Sequence, residues 1–323
     1  MGEEKVDLGG VSIAHLPLPL FAGTMGIAGL ALVWHQVAEF WGTGEVFAET
    51  FTLLSALTFV TMFLAYIAKL VLHRKEAIAE MINPVRLNFL PAVSISLLLL
   101  GMLAAPGDWS VVLWGSGAAL HLAIMLGIVS SWLLRQLELN MLNPTWFIPA
   151  TGNVLVPIPA ANAGYTEVAW FFFSIGLFFW LIIMTLCYYR LIFGTNLPDL
   201  LQPTLAILLA PPAVIYIAWV ALNGDGEGAD VVGRILYYKA LFTFLLLLVQ
   251  VPKLVRIPFY FSWWAYTFPL ATFSLASFEY VRTIAPNAEP LLMTLVGFTT
   301  LVILLVFLIT VVHLFSGKLL RPE

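Results

Sequence analysis

The sequence predicts an all-α integral membrane protein. Ten transmembrane helices form five helical hairpins, with an inner ring of odd-numbered helices around a pore and an outer ring of even-numbered ones. Three observations predict this. The 323 residues are 61% hydrophobic and only 10% charged, where a soluble domain carries about 25% charged residues. Ten apolar segments approach the roughly 20 residues needed to cross hydrocarbon. Proline falls in alternate segments.

The expected spans are 18–41, 46–70, 88–105, 110–133, 149–162, 166–189, 203–222, 231–250, 258–281 and 290–315. The fifth is short and interrupted by Gly152, Pro157 and Pro159, so on its own it reads equally well as a re-entrant segment. Charge placement favours a full span. With ten spans and the N-terminus inside, eleven lysines and arginines lie on the cytoplasmic side, and only Arg234, Lys239 and Arg282 lie on the other, as the positive-inside rule requires. Omitting the fifth span scatters the basic loops to both sides. Both termini are then cytoplasmic and the acidic loop Asn223–Asp230 is outside. The chain reads as a single domain, 1–323, with short tails at 1–16 and 316–323 and no cleavable signal peptide. One cysteine, Cys187, excludes an intrachain disulfide. A scattered net charge of −4 excludes a nucleic-acid partner.

The proline map sorts the helices. Pro17 and Pro19 open the first span, and Pro91 lies in the third. Pro149, Pro157 and Pro159 lie in the fifth, Pro203, Pro211 and Pro212 in the seventh, and Pro258 and Pro269 in the ninth. The even spans lack proline, apart from Pro290 in the first turn of the tenth, where it costs nothing. Proline removes a backbone hydrogen bond, and the carbonyl left over is tolerated only against protein or water. Kinked odd helices therefore face an axis and smooth even helices face lipid; ordinary packing kinks are the alternative. In Phe261-Ser262-Trp263-Trp264-Ala265-Tyr266-Thr267-Phe268-Pro269-Leu270-Ala271-Thr272, the ring directly before the proline break is expected to face inward, into the pore.

Four ordered motifs carry a resemblance: Asn83-Pro84-Val85-Arg86-Leu87-Asn88-Phe89, Asn143-Pro144-Thr145-Trp146-Phe147-Ile148-Pro149-Ala150, Leu209-Ala210-Pro211-Pro212-Ala213 and Trp264-Ala265-Tyr266-Thr267-Phe268-Pro269. With them the chain resembles the tellurite-resistance/dicarboxylate transporter family, which includes bacterial tellurite-resistance channel homologues and plant slow anion channels. The resemblance runs from about Pro17 to Leu314. It implies ten helices in five hairpins, a pore in each protomer, a homotrimer, and occlusion of the pore by Phe268. The plant channels have long phosphorylated tails, so the short tails here argue against that mode of control.

Candidate pore-lining residues are Gly23, Gly26, Pro91, Ser94, Thr151, Gly152, Asn153, Pro211 and Thr267. Small side chains, free backbone amides and hydroxyls tolerate an anion without trapping it. Close helix packing explains any single one of them as well. Arg86, Arg135, Arg190 and Arg256 sit at cytoplasmic ends. They are either topology signals or a vestibule that concentrates anions. Glu39 and Glu279 are expected to snorkel to water, Glu279 and Arg282 to pair, and His121 and Lys239 to face lipid or a neighbouring protomer. No metal-ligand spacing, phosphate loop or catalytic set is visible, and no cofactor is expected.

These features predict a passive channel for small monovalent anions, chloride or nitrate, in a bacterial inner (plasma) membrane. The alternative is a secondary exporter of a C4-dicarboxylate, sulfite or tellurium oxyanion. Such a carrier is expected to show inverted repeats and an intramembrane coupling residue, and neither is apparent. An enzyme is not expected.

Overall fold

The computed structural model describes residues 12–83, 86–105, 107–224 and 230–316. The expected cytoplasmic termini and the centre of the acidic loop lie outside the described residues. Among those residues every element is helical. The protein is a multi-pass membrane protein, and its described residues hold eight helical stretches long and apolar enough to cross a bilayer: Leu18–Trp41, Glu45–Leu72, Arg86–Leu103, Asp108–Leu134, Thr166–Phe193, Asp199–Asn223, Val231–Leu254 and Pro286–Phe315. The fifth and ninth expected spans fall short of that measure. The fifth is two short helices, α6 (Phe147–Leu155) and α7 (Pro157–Asn162), and the ninth is a six-residue 3-10 segment, Phe261–Tyr266, running into α11 (Thr267–Thr283). Val156, between α6 and α7, keeps helical dihedrals of −58° and −40°. Pro157 therefore removes hydrogen bonds without turning the chain.

The remaining helices are α1 (Phe21–Trp41), α2 (Glu45–Leu72), α3 (Arg74–Ile82), α4 (Pro91–Leu103), α5 (Asp108–Leu134), α8 (Thr166–Phe193), α9 (Ala210–Asn223), α10 (Val231–Leu254) and α12 (Glu289–Phe315). Neighbours in sequence pack in pairs: α1 with α2, α4 with α5, α6 and α7 with α8, α9 with α10, and α11 with α12. A second set of contacts closes on itself: α1 packs on α4, α4 on α6, α6 on α9, α9 on α11, and α11 back on α1. Burial follows the same division. Between 61% and 72% of the residues are buried in the central windows of the stretches containing α1, α4 and α9, against 22% to 33% in α2, α5, α8, α10 and α12. The tight turn from α1 to α2 needs Gly42, which caps α1 at φ 66° and donates its N–H to the Ala38 carbonyl. That left-handed conformation costs a residue with a Cβ.

The prolines act differently from the kinks expected. Each inner element opens with a 3-10 segment, at Leu18–Leu20, Arg86–Phe89, Pro144–Trp146, Asp199–Leu209 and Phe261–Tyr266, before becoming α-helical. Pro91, Pro149, Pro211 and Pro269 lie in the first turn of α4, α6, α9 and α11, where the missing N–H has no helical partner. In a continuous α-helix each ring would collide with the carbonyl four residues back. Those residues are Leu87, Thr145, Ile207 and Ala265, and all four lie in the 3-10 lead-ins. The prolines thus set where the lead-in ends and the helix begins. Outside the ring, α10 runs further than expected and contains Pro252 near its end, so the even helices are not all free of proline.

One charge assigned to topology alone is buried. Lys69, at the end of α2, is 3% exposed and pairs with Glu80 of α3 at 2.6 Å. Its Nζ also donates to the Leu16 carbonyl at 2.7 Å, and the Leu18 amide donates to Glu80 Oε1 at 2.7 Å. A buried ion pair is tolerable only when its remaining valences are satisfied. Here the backbone entering the first inner element satisfies them.

Candidate functional site

The candidate site lies where all five inner elements meet. A cavity of about 40 Å³ is lined by Met25 of α1, Phe89 and Ile95 around the start of α4, Thr151 of α6, Ile207 of the lead-in to α9, and Phe268 of α11, among others. Such a volume holds about one or two waters. Phe268 is 5% exposed. A Cβ built at Gly29 of α1 would stand 3.6 Å from its ring, so the ring packs against the neighbouring inner helix. Phe268 was placed inward by the sequence, and the structure brings it together with Thr151 and not with the other candidates.

Gly23, Gly26 and Gly29 form a flat stripe on α1 that receives α11. A Cβ at Gly23 would meet the Trp264 ring at 3.3 Å, one at Gly29 would meet Ala271 Cβ at 2.8 Å, and one at Gly26 would overlap Thr267 Oγ1. Gly23, Gly26 and Thr267 are therefore a helix seam. The hydroxyls divide in the same way. Thr267 donates to the Trp264 carbonyl at 2.7 Å, and Ser94 Oγ lies 2.8 Å from the Pro91 carbonyl and 2.9 Å from His121 Nδ1. Both hydroxyls are engaged within the protein. The Thr151 hydroxyl has no partner among the described residues, and Thr151 is the polar residue lining the cavity. Asn153 donates to the Pro149 carbonyl at 2.9 Å, and its buried Oδ1 has no partner among the described residues. Pro91 and Pro211 sit beside Ala92 and Ala210, and those two alanines are the residues that line the cavity.

His121 departs furthest from expectation. It was assigned to the lipid or protomer face because it lies on an even helix, yet it is fully buried. It reaches inward from α5 between α4 and α6, with Nδ1 2.9 Å from Ser94 Oγ and Nε2 2.8 Å from the Pro149 carbonyl. Gly152 makes room for it, since a Cβ there would overlap the imidazole. Gly152 is thus a socket for His121. Lys239 remains on the outer layer, 3.3 Å from the Tyr188 hydroxyl.

The four arginines do not form one group. Arg86, Arg135 and Arg256 are exposed, and Arg135 donates to the Ile82 carbonyl at 3.4 Å. Arg256 lines a polar recess of about 400 Å³ with Lys253, Gln202 and Asp199. Arg190 is 2% exposed and donates to the Thr195 carbonyl just past its own helix, so it braces a turn and is unavailable to a vestibule. At the opposite ends of the inner helices, Arg282 pairs with Glu279 at 3.7 Å, as its i,i+3 spacing predicts, and with Glu39 of α1 at 3.4 Å.

Comparison of the sequence with known proteins points to one family. The chain is 26% identical to the S-type anion channel SLAH3 of Arabidopsis thaliana over 96% of its own length and 50% of that protein. It is 25% identical to the guard cell S-type anion channel SLAC1 of the same plant, over 96% of this chain and 58% of the relative. It is also 25% identical to the tellurite resistance protein TehA homolog of Haemophilus influenzae, over 80% and 79%. The chain spans about half the length of the plant relatives. Residues 15–315, which include the whole ring of inner helices, match the SLAC1 description, voltage-dependent anion channel, and the chain belongs to that family.

Proposed function

We propose that this protein is a passive channel for small monovalent anions, with a pore along the axis of the five inner elements of each protomer and Phe268 as the gate. The observation that carries this reading is the axial cavity. Every inner element contributes to it, Phe268 bounds it, and its lining includes Thr151, whose hydroxyl has no partner among the described residues, and no charged side chain. A desolvated anion meets a donor there but no countercharge to hold it. The S-type anion channel relatives support the same class of activity. The fuller architecture belongs to this proposal too: ten spans in five hairpins, cytoplasmic termini, and a homotrimer in a bacterial inner membrane assembled through the exposed outer faces. With its 3-10 lead-in, the α6–α7 segment reaches about 30 Å, enough for hydrocarbon thickness.

The test is current through planar bilayers containing wild type or Phe268→Ala under one anion gradient. The variant is expected to fold and to conduct at least tenfold more, with nitrate passing more readily than chloride because no fixed charge offsets dehydration. Equal currents from correctly folded proteins would make Phe268 a packing residue. Export of a dicarboxylate, sulfite or tellurium oxyanion would instead show saturable flux and coupling to a second ion.

A further inference from the structure

A second cavity lies outside the ring. Between α10 and α12 runs a crevice of about 180 Å³, walled by Leu248 and Val251 on one side and Phe298 and Val302 on the other, with Pro269 and Leu270 as its floor. Its lining is apolar, with the partly buried Tyr266 as one edge. An apolar cavity of roughly 150 Å³ stays dry and admits a benzene ring, so neither water nor the permeating anion suits this one. Its mouth opens among side chains that face outward, including Leu248, Val255, Leu301 and Leu305. In a bilayer the medium at that mouth is hydrocarbon.

The end of the same helix supplies the other half of an amphiphile site. Val251, Leu254 and Val255 line the apolar crevice. Pro252, Lys253 and Arg256, interleaved with them, line the polar recess of about 400 Å³. Both cations are exposed. The one carboxylate in that recess, Asp199, is engaged by the Gln202 amide at 2.7 Å. Apolar slot and basic recess thus adjoin on one helical turn, and cations at a membrane surface attract anionic headgroups.

We propose that this crevice binds an anionic phospholipid, with one acyl chain between α10 and α12 and its phosphate at Lys253 and Arg256. The chain end then rests on Pro269, directly behind the residue that carries the proposed gate ring. The site goes beyond the channel reading and does not depend on it.

The test uses the full-length protein in phosphatidylcholine vesicles containing either phosphatidylglycerol or phosphatidylcholine with a diazirine on one acyl chain, followed by peptide mapping. Labelling of Leu248, Val251 and Val302 is expected to be severalfold stronger from phosphatidylglycerol. It should fall to the phosphatidylcholine level in Lys253→Gln/Arg256→Gln and be lost when Val302→Trp fills the slot. Leu248→Phe, a smaller change, should reduce it in part. Phe268→Ala should label like wild type, which separates this site from the gate. Equal labelling by the two lipids, or no crevice labelling above that of the outer face of α2, would overturn the proposal. So would disulfide trapping of two copies across the crevice through Leu305→Cys, because a second protein would then occupy it.

Discussion

The ring closes by opposite means at two of its seams. Where α1 meets α11, side chains are removed: Gly23, Gly26 and Gly29 present bare backbone to Trp264, Thr267 and Ala271. Where α4 meets α6, a side chain is added: His121 enters from outside the ring and is hydrogen-bonded on both sides, to Ser94 and to the Pro149 carbonyl. Along the glycine stripe the first seam is held by close contact, as between membrane helices that gain nothing from excluding water, and among the described residues polar bonds join it only at its exposed end, where Arg282 meets Gln36 and Glu39. The second is bridged by polar bonds that lipid cannot replace. The proposed channel would need some seams that slide and some that hold. The smooth glycine seam flanks the Phe268 helix, and the pinned seam lies across the axis from it.

The largest effect is expected at the pinned seam. His121→Ala should lower stability by about 3 kcal/mol, from the vacated volume and the lost bonds, read as thermal unfolding in detergent. Gly152→Ala should be comparably damaging because its Cβ overlaps the imidazole. The double variant should be less damaged than the sum of the two. Strict additivity would mean that the socket is not what binds His121. At the glycine seam Gly26→Ala should cost about 2 kcal/mol by overpacking. Here the rescue should come from Thr267→Gly and not from Thr267→Ser, whose hydroxyl and Cβ still overlap the new methyl. Equal rescue by both would show that the helices simply part. The smallest effect concerns neither seam but the axis they enclose. Thr151→Val removes a hydroxyl that bonds nothing, so stability should hold or rise slightly. Current in the Phe268→Ala background should fall about fivefold, as one hydrogen bond to the anion of about 1 kcal/mol is lost. Unchanged current would take Thr151 off the pathway.

The sequence revealed these seams unequally. Glycines three residues apart in α1 are visible as a stripe, and proline alternation sorted inner from outer helices before any coordinates. The inference from proline was right about location and wrong about means, because prolines in a first turn delimit a helix and do not break it. His121 was misplaced for a physical reason: α5 is apolar on every side, so periodicity cannot tell its buried face from its lipid face. The usable signal was finer. Ser110, Gly117, Ala118 and His121 lie close to one helical stripe, and all are buried. Small and polar residues on one line mark a protein-facing surface in a membrane. Phe89, Ile95 and Ile207 gave no such signal. In a chain this apolar, another Phe or Ile carries no information about which one meets an axis.

The lead-in before the proposed gate has a mechanical consequence. A 3-10 helix advances about 2.0 Å and 120° per residue, and an α-helix about 1.5 Å and 100°. Rewinding Phe261–Tyr266 from one form to the other would shorten the segment by about 3 Å and turn everything beyond it by about a third of a revolution. The segment is a screw with the Phe268 ring at its tip. Pro269 is the stop on its thread, because the ring bars the Ala265 carbonyl from the α-helical position. A small change in winding would swing the proposed aromatic plug off the axis, and among the described residues the part of α11 that turns with it is tied to α1 only at its exposed end, through Arg282 and Glu39.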